Sequence, residues 1–180
     1  GTDVLALHGS TDAPTVDVFE SAVVSTTIID DFSYGDFAGY LELPTLDFSL
    51  QVRTANNSTI VAAYAAPLQT LGLQGAALTV LASGFLNPAA NSNGPAFGLW
   101  VALPTGGPLV ELPFAAIPTA RIQAIHNSAD AAAAQVDVYL NGGLLLDNFA
   151  FRTAAPFVAV QAGVDLTLSI APANSSSVAD

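Results

Sequence analysis

Val4-Leu-Ala-Leu-His-Gly-Ser-Thr-Asp-Ala-Pro-Thr-Val-Asp-Val-Phe19 returns as Ile122-Gln-Ala-Ile-His-Asn-Ser-Ala-Asp-Ala-Ala-Ala-Ala-Gln-Val-Asp-Val-Tyr139. His8, Ser10 and Asp12 map onto His126, Ser128 and Asp130 at a constant offset of 118. Leu46-Asp-Phe-Ser-Leu-Gln-Val52 maps at the same offset onto Val164-Asp-Leu-Thr-Leu-Ser-Ile170. Self-similarity over that distance means two copies of one structural unit. The first copy runs on for dozens of residues past the shared stretch, whereas the second reaches Asp180 half-finished. The reading is two domains, 1–117 and 118–180, with the boundary at Ile117-Pro118-Thr119 and the second copy truncated.

Within both copies the hydrophobic period is two. Leu46, Phe48, Leu50 and Val52 alternate with Asp47, Ser49, Gln51 and Arg53, which directs one face to a core and the other to water. Further strands are expected at about 3–9, 15–20, 23–30, 38–43, 58–66, 76–84, 97–103 and 109–114, then at about 121–127, 135–140, 144–150 and 156–161. Asn56-Asn57, Gly106-Gly-Pro108 and Asn141-Gly142 punctuate them, the last pair being the signal of a type I′ hairpin. The pattern predicts an all-β protein of tandem immunoglobulin-like antiparallel β-sandwiches.

Composition excludes several classes of partner. The chain has fifteen carboxylates, three arginines and no lysine, a formal net charge of -12. A nucleic-acid backbone or an anionic membrane would repel such a surface. No apolar run reaches transmembrane length. Without cysteine or lysine, neither disulfides nor Lys–Asn isopeptide bonds staple the fold, so packing, hydrogen bonds or assembly must stabilise it. Gly1 at the start and the absence of methionine fit a mature product cut from a secreted precursor or a shortened chain.

The residues that carry the repeat also carry a resemblance. His8 to Phe19, followed by Phe32-Ser-Tyr-Gly35, Tyr40-Leu-Glu-Leu-Pro44, Arg53 and Leu78-Thr-Val-Leu-Ala-Ser-Gly84, resembles the prokaryotic extracellular repeat family known as domain of unknown function 4397. The second copy departs from the pattern with Ala132 for Pro14, two extra residues before Gln135, and Arg152 for Gly35. The resemblance implies a secreted or surface-attached β-sandwich and supplies no chemistry.

The chain reads as noncatalytic. His8, Ser10 and Asp12 suggest a hydrolase triad, but four residues of extended strand span about 13 Å. No nucleophile-elbow glycine pattern surrounds Ser10. The expected role of His8, Ser10, Asp12, His126, Ser128 and Asp130 is to hold the turn after each first strand. No cofactor is implied; calcium is the one ion the carboxylates would suit, with Asp12, Asp17, Asp30 and Asp31 as candidate ligands. Trp100 and the Phe32, Tyr34, Phe37 and Tyr40 cluster are the candidate carbohydrate platform, set against the commoner role of aromatic residues in a core.

In the truncated copy, Phe149, Phe157, Leu166, Leu168 and Ile170 are expected to line an open assembly groove. The functional expectation is an extracellular structural or adhesive protein, a filament subunit joined head to tail by strand complementation, with the segment Asp3 to Leu7 as donor. The alternative is a carbohydrate- or calcium-dependent binding module of a larger cell-surface protein.

Overall fold

Apolar side chains at every second residue commit a segment to a sheet with one dry face. A computed structural model describes residues 1–179; Asp180, where the sequence reading ends the second copy, lies outside them. The described residues are almost entirely β, with two single-turn 3₁₀ segments at Pro88–Ala90 and Ala131–Ala133. They divide into two compact units, Gly1–Ile117 and the residues from Pro118 onward.

The first unit comprises β1 (Thr2–His8), β2 (Val16–Glu20), β3 (Thr26–Phe32), β4 (Phe37–Leu43), β5 (Asp47–Thr54), β6 (Ile60–Pro67), β7 (Ala77–Ser83), β8 (Gly98–Ala102) and β9 (Val110–Glu111). One sheet runs β4-β1-β7-β8-β9 and the other β3-β2-β5-β6. Strands β1 and β7 pair in parallel, and the remaining ladders are antiparallel. Both sheets feed the core, Ala6, Leu78, Leu99 and Val101 from one side and Val16, Phe48, Leu50 and Val52 from the other. In the constant immunoglobulin arrangement the second and third strands lie in opposite sheets. Here β2 and β3 pair with each other, so the two-sheet sandwich is shared and the strand connection differs.

The second unit comprises β10 (Thr119–Ile122), β11 (Ile125–His126), β12 (Gln135–Leu140), β13 (Gly143–Ala150), β14 (Thr153–Ala154), β15 (Val158–Gln161) and β16 (Leu168–Pro172). Its strands pair as β13-β12-β16, β10-β15 and β11-β14. Registers match those of the first unit: Val136 faces Phe149 and Val138 faces Leu146, as Val16 faces Phe32 and Val18 faces Ile29, with a register shift at the same place. Asp137 opposes Ala171 as Asp17 opposes Arg53. Among the described residues no strand pairs with the far edge of β16, where β6 borders β5 in the first unit. None pairs with the free edge of β10 and β11, where β7 borders β1.

Two element boundaries differ from the sequence expectation for identifiable reasons. The strand expected at about 23–30 begins only at Thr26, because Ala22, Val23 and Val24 turn their N–H groups onto the Glu20 carboxylate. The strand expected at about 121–127 splits into β10 and β11, and at the break Gln123 donates its side-chain N–H to the Ala155 carbonyl (2.8 Å). Val16, Phe48, Leu50, Val136 and Val138 are buried and Val18 half-buried. Alternation would bury Leu166 and Leu168 as well, but both are exposed, because the described second unit lacks the strands that cover their counterparts Phe48 and Leu50.

Equivalent truncations in the two units should therefore differ in cost. Leu50→Ala is expected to cost about 2–5 kcal/mol, as emptying a packed site does, whereas Leu168→Ala should cost less than about 1 kcal/mol in the monomer. Urea titration followed through each unit's own amide resonances measures both.

Candidate functional site

The turn after each first strand is built on a carboxylate. Asp12 accepts the N–H groups of Leu86 and Asn87 (both 2.9 Å), the Asn91 side-chain N–H (3.0 Å) and the Ser10 hydroxyl (3.4 Å). It thereby joins the first turn to the loop after β7. Ser10 also donates to the Gly84 carbonyl (2.7 Å). Gly84 has a φ of +87°, and any Cβ there would run into the Ala96 carbonyl, so only glycine permits that approach. In the second unit Asp130 accepts the N–H of Ala132 (2.9 Å) and caps the 3₁₀ turn Ala131–Ala133.

The two histidines part company. His126 Nε2 lies 2.8 Å from the Ala133 carbonyl oxygen, and its Nδ1 accepts the Ser128 N–H at 3.3 Å. His8 is equally central but its Nδ1 has no partner; its ring meets the Phe32 ring edge-on at 5.5 Å. The expectation that His8 holds its turn as His126 does is corrected in this respect. In the second copy Nδ1 of His126 has the Ser128 N–H, a contact that Nδ1 of His8 lacks.

The calcium candidates are distributed rather than gathered. Asp17 is buried and accepts the Asp31 N–H (2.9 Å) at the register shift between β2 and β3. Asp137 does the same for the Asn148 N–H (2.7 Å) and also takes both the N–H and the hydroxyl of Ser175 (2.8 and 2.7 Å). Asp30 and Asp31 are exposed on β3. Among the described residues, no three His, Asp or Glu side chains converge as a metal-ligand set. Trp100 is half-buried on β8, opposite Leu81 and Glu111, while its neighbours Leu99 and Val101 enter the core. Phe37, Tyr34 and Tyr40 are exposed and Phe32 is buried.

Sequence reasoning missed Glu20. Its carboxylate is almost wholly buried and accepts four backbone N–H groups, from Ala22, Val23 and Val24 (2.8 Å each) and from Ser49 (3.2 Å). Burial pushes its pKa up, and the four donors together outweigh it, so the group ends below the usual range. The Asn87 N–H, chiefly, holds Asp12 low, and the Asn148 N–H followed by the Ser175 hydroxyl holds Asp137 low. Arg152 was also unforeseen: it adopts φ +60° where Gly35 has +89°, and its N–H donates to the His126 carbonyl as Gly35 donates to His8.

Of the groove residues, Leu166, Leu168 and Ile170 are exposed, with Leu168 and Ile170 on β16. Phe157 is exposed beneath the Arg121 guanidinium, 5.5 Å from its ring centre, and Phe149 is half-buried beside the His126 ring at 5.9 Å. Ile125 on β11 joins the exposed apolar set, on the face opposite Ile122, Ala124 and His126.

Two titrations test these placements. Carboxylates whose folded pKa is lowered stabilise the fold above their unfolded values, near pH 4, and lose that contribution as pH falls through the lowered folded values. Thermal melts from pH 5 to pH 2 should therefore fall steadily, and Asp12→Asn should lower the pH 5 melting temperature and flatten the fall. At the alkaline end, burial and then the Glu111 carboxylate push the Tyr64 phenol up to about 12. Its hydroxyl has no partner, so Tyr64→Phe should stabilise the first unit by about 1 kcal/mol. It should also reduce the loss of stability between pH 10 and 12, where unfolded Tyr64 ionises and folded Tyr64 resists.

The first unit's turn and bulge constellation also locates the chain among known families. No curated protein and no solved structure matches it. Residues 2–92, just over half of the 180, match the family model described as Domain of unknown function (DUF4397). The match begins at β1, passes through His8, Ser10, Asp12, Asp17 and Glu20, and ends in the loop that Asp12 fastens; the chain belongs to the DUF4397 family.

Proposed function

We propose that this protein is a noncatalytic structural or adhesive element of the cell exterior whose copies join head to tail by strand complementation. One contrast carries the reading. Leu50 and Val52 on β5 are 8% and 4% exposed, whereas Leu168 and Ile170, at the equivalent positions of β16, are 59% and 71% exposed. Burying each such side chain is worth about 1.5–3 kcal/mol. Among the described residues no strand pairs with the far edge of β16, which leaves a row of N–H and C=O groups outside any ladder. An extended segment of a neighbouring copy laid along β16 satisfies both at once.

The donor is a segment other than β1. That strand lies between β4 and β7 with Thr2, Val4, Ala6 and His8 buried, so withdrawing Asp3 to Leu7 would dismantle the first unit. A groove on one copy and a different segment on the next make a heterologous contact, which propagates into a filament when the rotation does not close. The noncatalytic part draws support from how the polar groups are used. Ser10 is committed to the Gly84 carbonyl and Asp12 to loop N–H groups, which leaves neither poised to activate a nucleophile. Placement outside the cell draws support from the family resemblance and from a surface nearly free of basic residues.

Light scattering coupled to size exclusion, with electron microscopy of concentrated samples, tests the proposal. The chain should grow in mass with concentration into filaments. Leu168→Lys combined with Ile170→Lys should return it to a monomer while the amide spectrum of the first unit stays unchanged. A wild-type chain that remains monomeric up to millimolar concentration, with a spectrum matching that of the double variant outside the substituted strand, would refute self-complementation.

A further inference from the structure

The interior of the first unit is incompletely filled. Between its sheets lies a cavity of about 320 Å³, walled by aliphatic and aromatic side chains from both, among them Val18, Ile29, Leu41 and Val80. His8 is the one polar side chain on that wall. It is 1% exposed, and its Nδ1 has no hydrogen-bond partner. In the longer turn of the second unit His126 engages both ring nitrogens, with the Ala133 carbonyl and the Ser128 N–H. A buried polar atom without a partner is uncommon and calls for an explanation. An apolar chamber with one convergent polar group is the usual form of a small-molecule site.

We propose that this cavity binds a neutral medium-chain aliphatic molecule bearing a single hydroxyl, with the hydroxyl on the His8 imidazole and the chain between the sheets. Size sets the length: an engineered apolar cavity of about 150 Å³ takes up benzene, so 320 Å³ suits about ten non-hydrogen atoms. The lining sets the body of the ligand as hydrocarbon. Charge sets the head group, because a molecule of formal net charge -12 disfavours entry of a carboxylate. A hydroxyl both donates and accepts, so it satisfies the imidazole in either neutral tautomer. Leu71 and Leu86, both on the wall and both exposed, mark where the chamber approaches the surface.

The test uses 1-octanol as ligand, n-heptane as the headless control and octanoate as the charged one, titrated into the intact chain under nuclear magnetic resonance. The expected result is saturable one-to-one uptake of octanol, with methyl shifts confined to cavity residues such as Ile29 and Val80 and a shift of the His8 imidazole nitrogen. Octanol should bind roughly 3- to 10-fold more tightly than heptane, the value of one hydrogen bond, and octanoate more weakly than octanol. In His8→Phe the preference for octanol over heptane should vanish. Should that variant fail to fold, xenon uptake by the wild-type chain reports the cavity directly. Absence of saturable octanol and xenon binding overturns the proposal. So does equal binding of octanol and heptane with no change at His8. Cavity methyl shifts that depend on protein concentration instead of octanol would overturn it in favour of a side chain from a second copy.

Discussion

A backbone N–H that leaves a β-ladder must find another acceptor, and this fold is organised around that requirement. In each unit the ladder of β2 with β3, or of β12 with β13, carries two register shifts, and at the first of them the displaced N–H, of Asp31 or Asn148, goes to the buried carboxylate of Asp17 or Asp137. Glu20 gathers four such donors where the chain turns before β3, and Asp12 gathers those of the loop after β7. With only three arginines to fifteen carboxylates, these acids serve the backbone more than they serve cations. Charge-assisted bonds to N–H groups are shorter and stronger than neutral ones. That use of acidic residues lets a chain with few charges keep register shifts in both units.

With polar groups met locally, what separates the units is apolar cover. The β12–β16 ladder reproduces the β2–β5 ladder residue for residue, down to the opposition of Asp137 with Ala171 where Asp17 opposes Arg53. Yet β5 lies under the side chains of the facing sheet and beside β6, while β16 has neither among the described residues. The same alternating sequence therefore yields a core strand in one unit and an exposed apolar strand in the other. Local pattern sets which face a side chain takes; the number of neighbouring strands sets whether that face is dry.

This divides what was legible in the sequence from what was not. Alternation gave the strands, and the offset of 118 gave the correspondence of positions, because both are properties of one segment at a time. Exposure of Leu168 and Ile170 follows from strands of the first unit that have no counterpart among the described residues of the second. The divergence of His8 from His126 could not be read in the sequence, since whether an imidazole nitrogen meets a backbone N–H depends on how the turn curls back and not on the His-x-Ser-x-Asp spacing that both copies share. Arg152 is left-handed where Gly35 is, and its N–H reaches the His126 carbonyl as that of Gly35 reaches His8. A cavity depends on the separation of two sheets and on every side chain between them, so no linear pattern encodes it.

Charge and apolar surface act over different distances, which bears on how such copies would meet. Each copy carries the same excess of negative charge, so two copies repel at separations up to about the 8 Å Debye length of physiological salt. Contacts that bury little apolar area do not overcome that repulsion. A strand seated on β16 gains the burial of Leu168 and Ile170 and the pairing of a free edge together, and only in register. Acidic surface and exposed apolar strand thus work in the same direction: the first suppresses indiscriminate clustering, and the second rewards one alignment. A polymer built on that alignment would gain its order from the repulsion as much as from the contact.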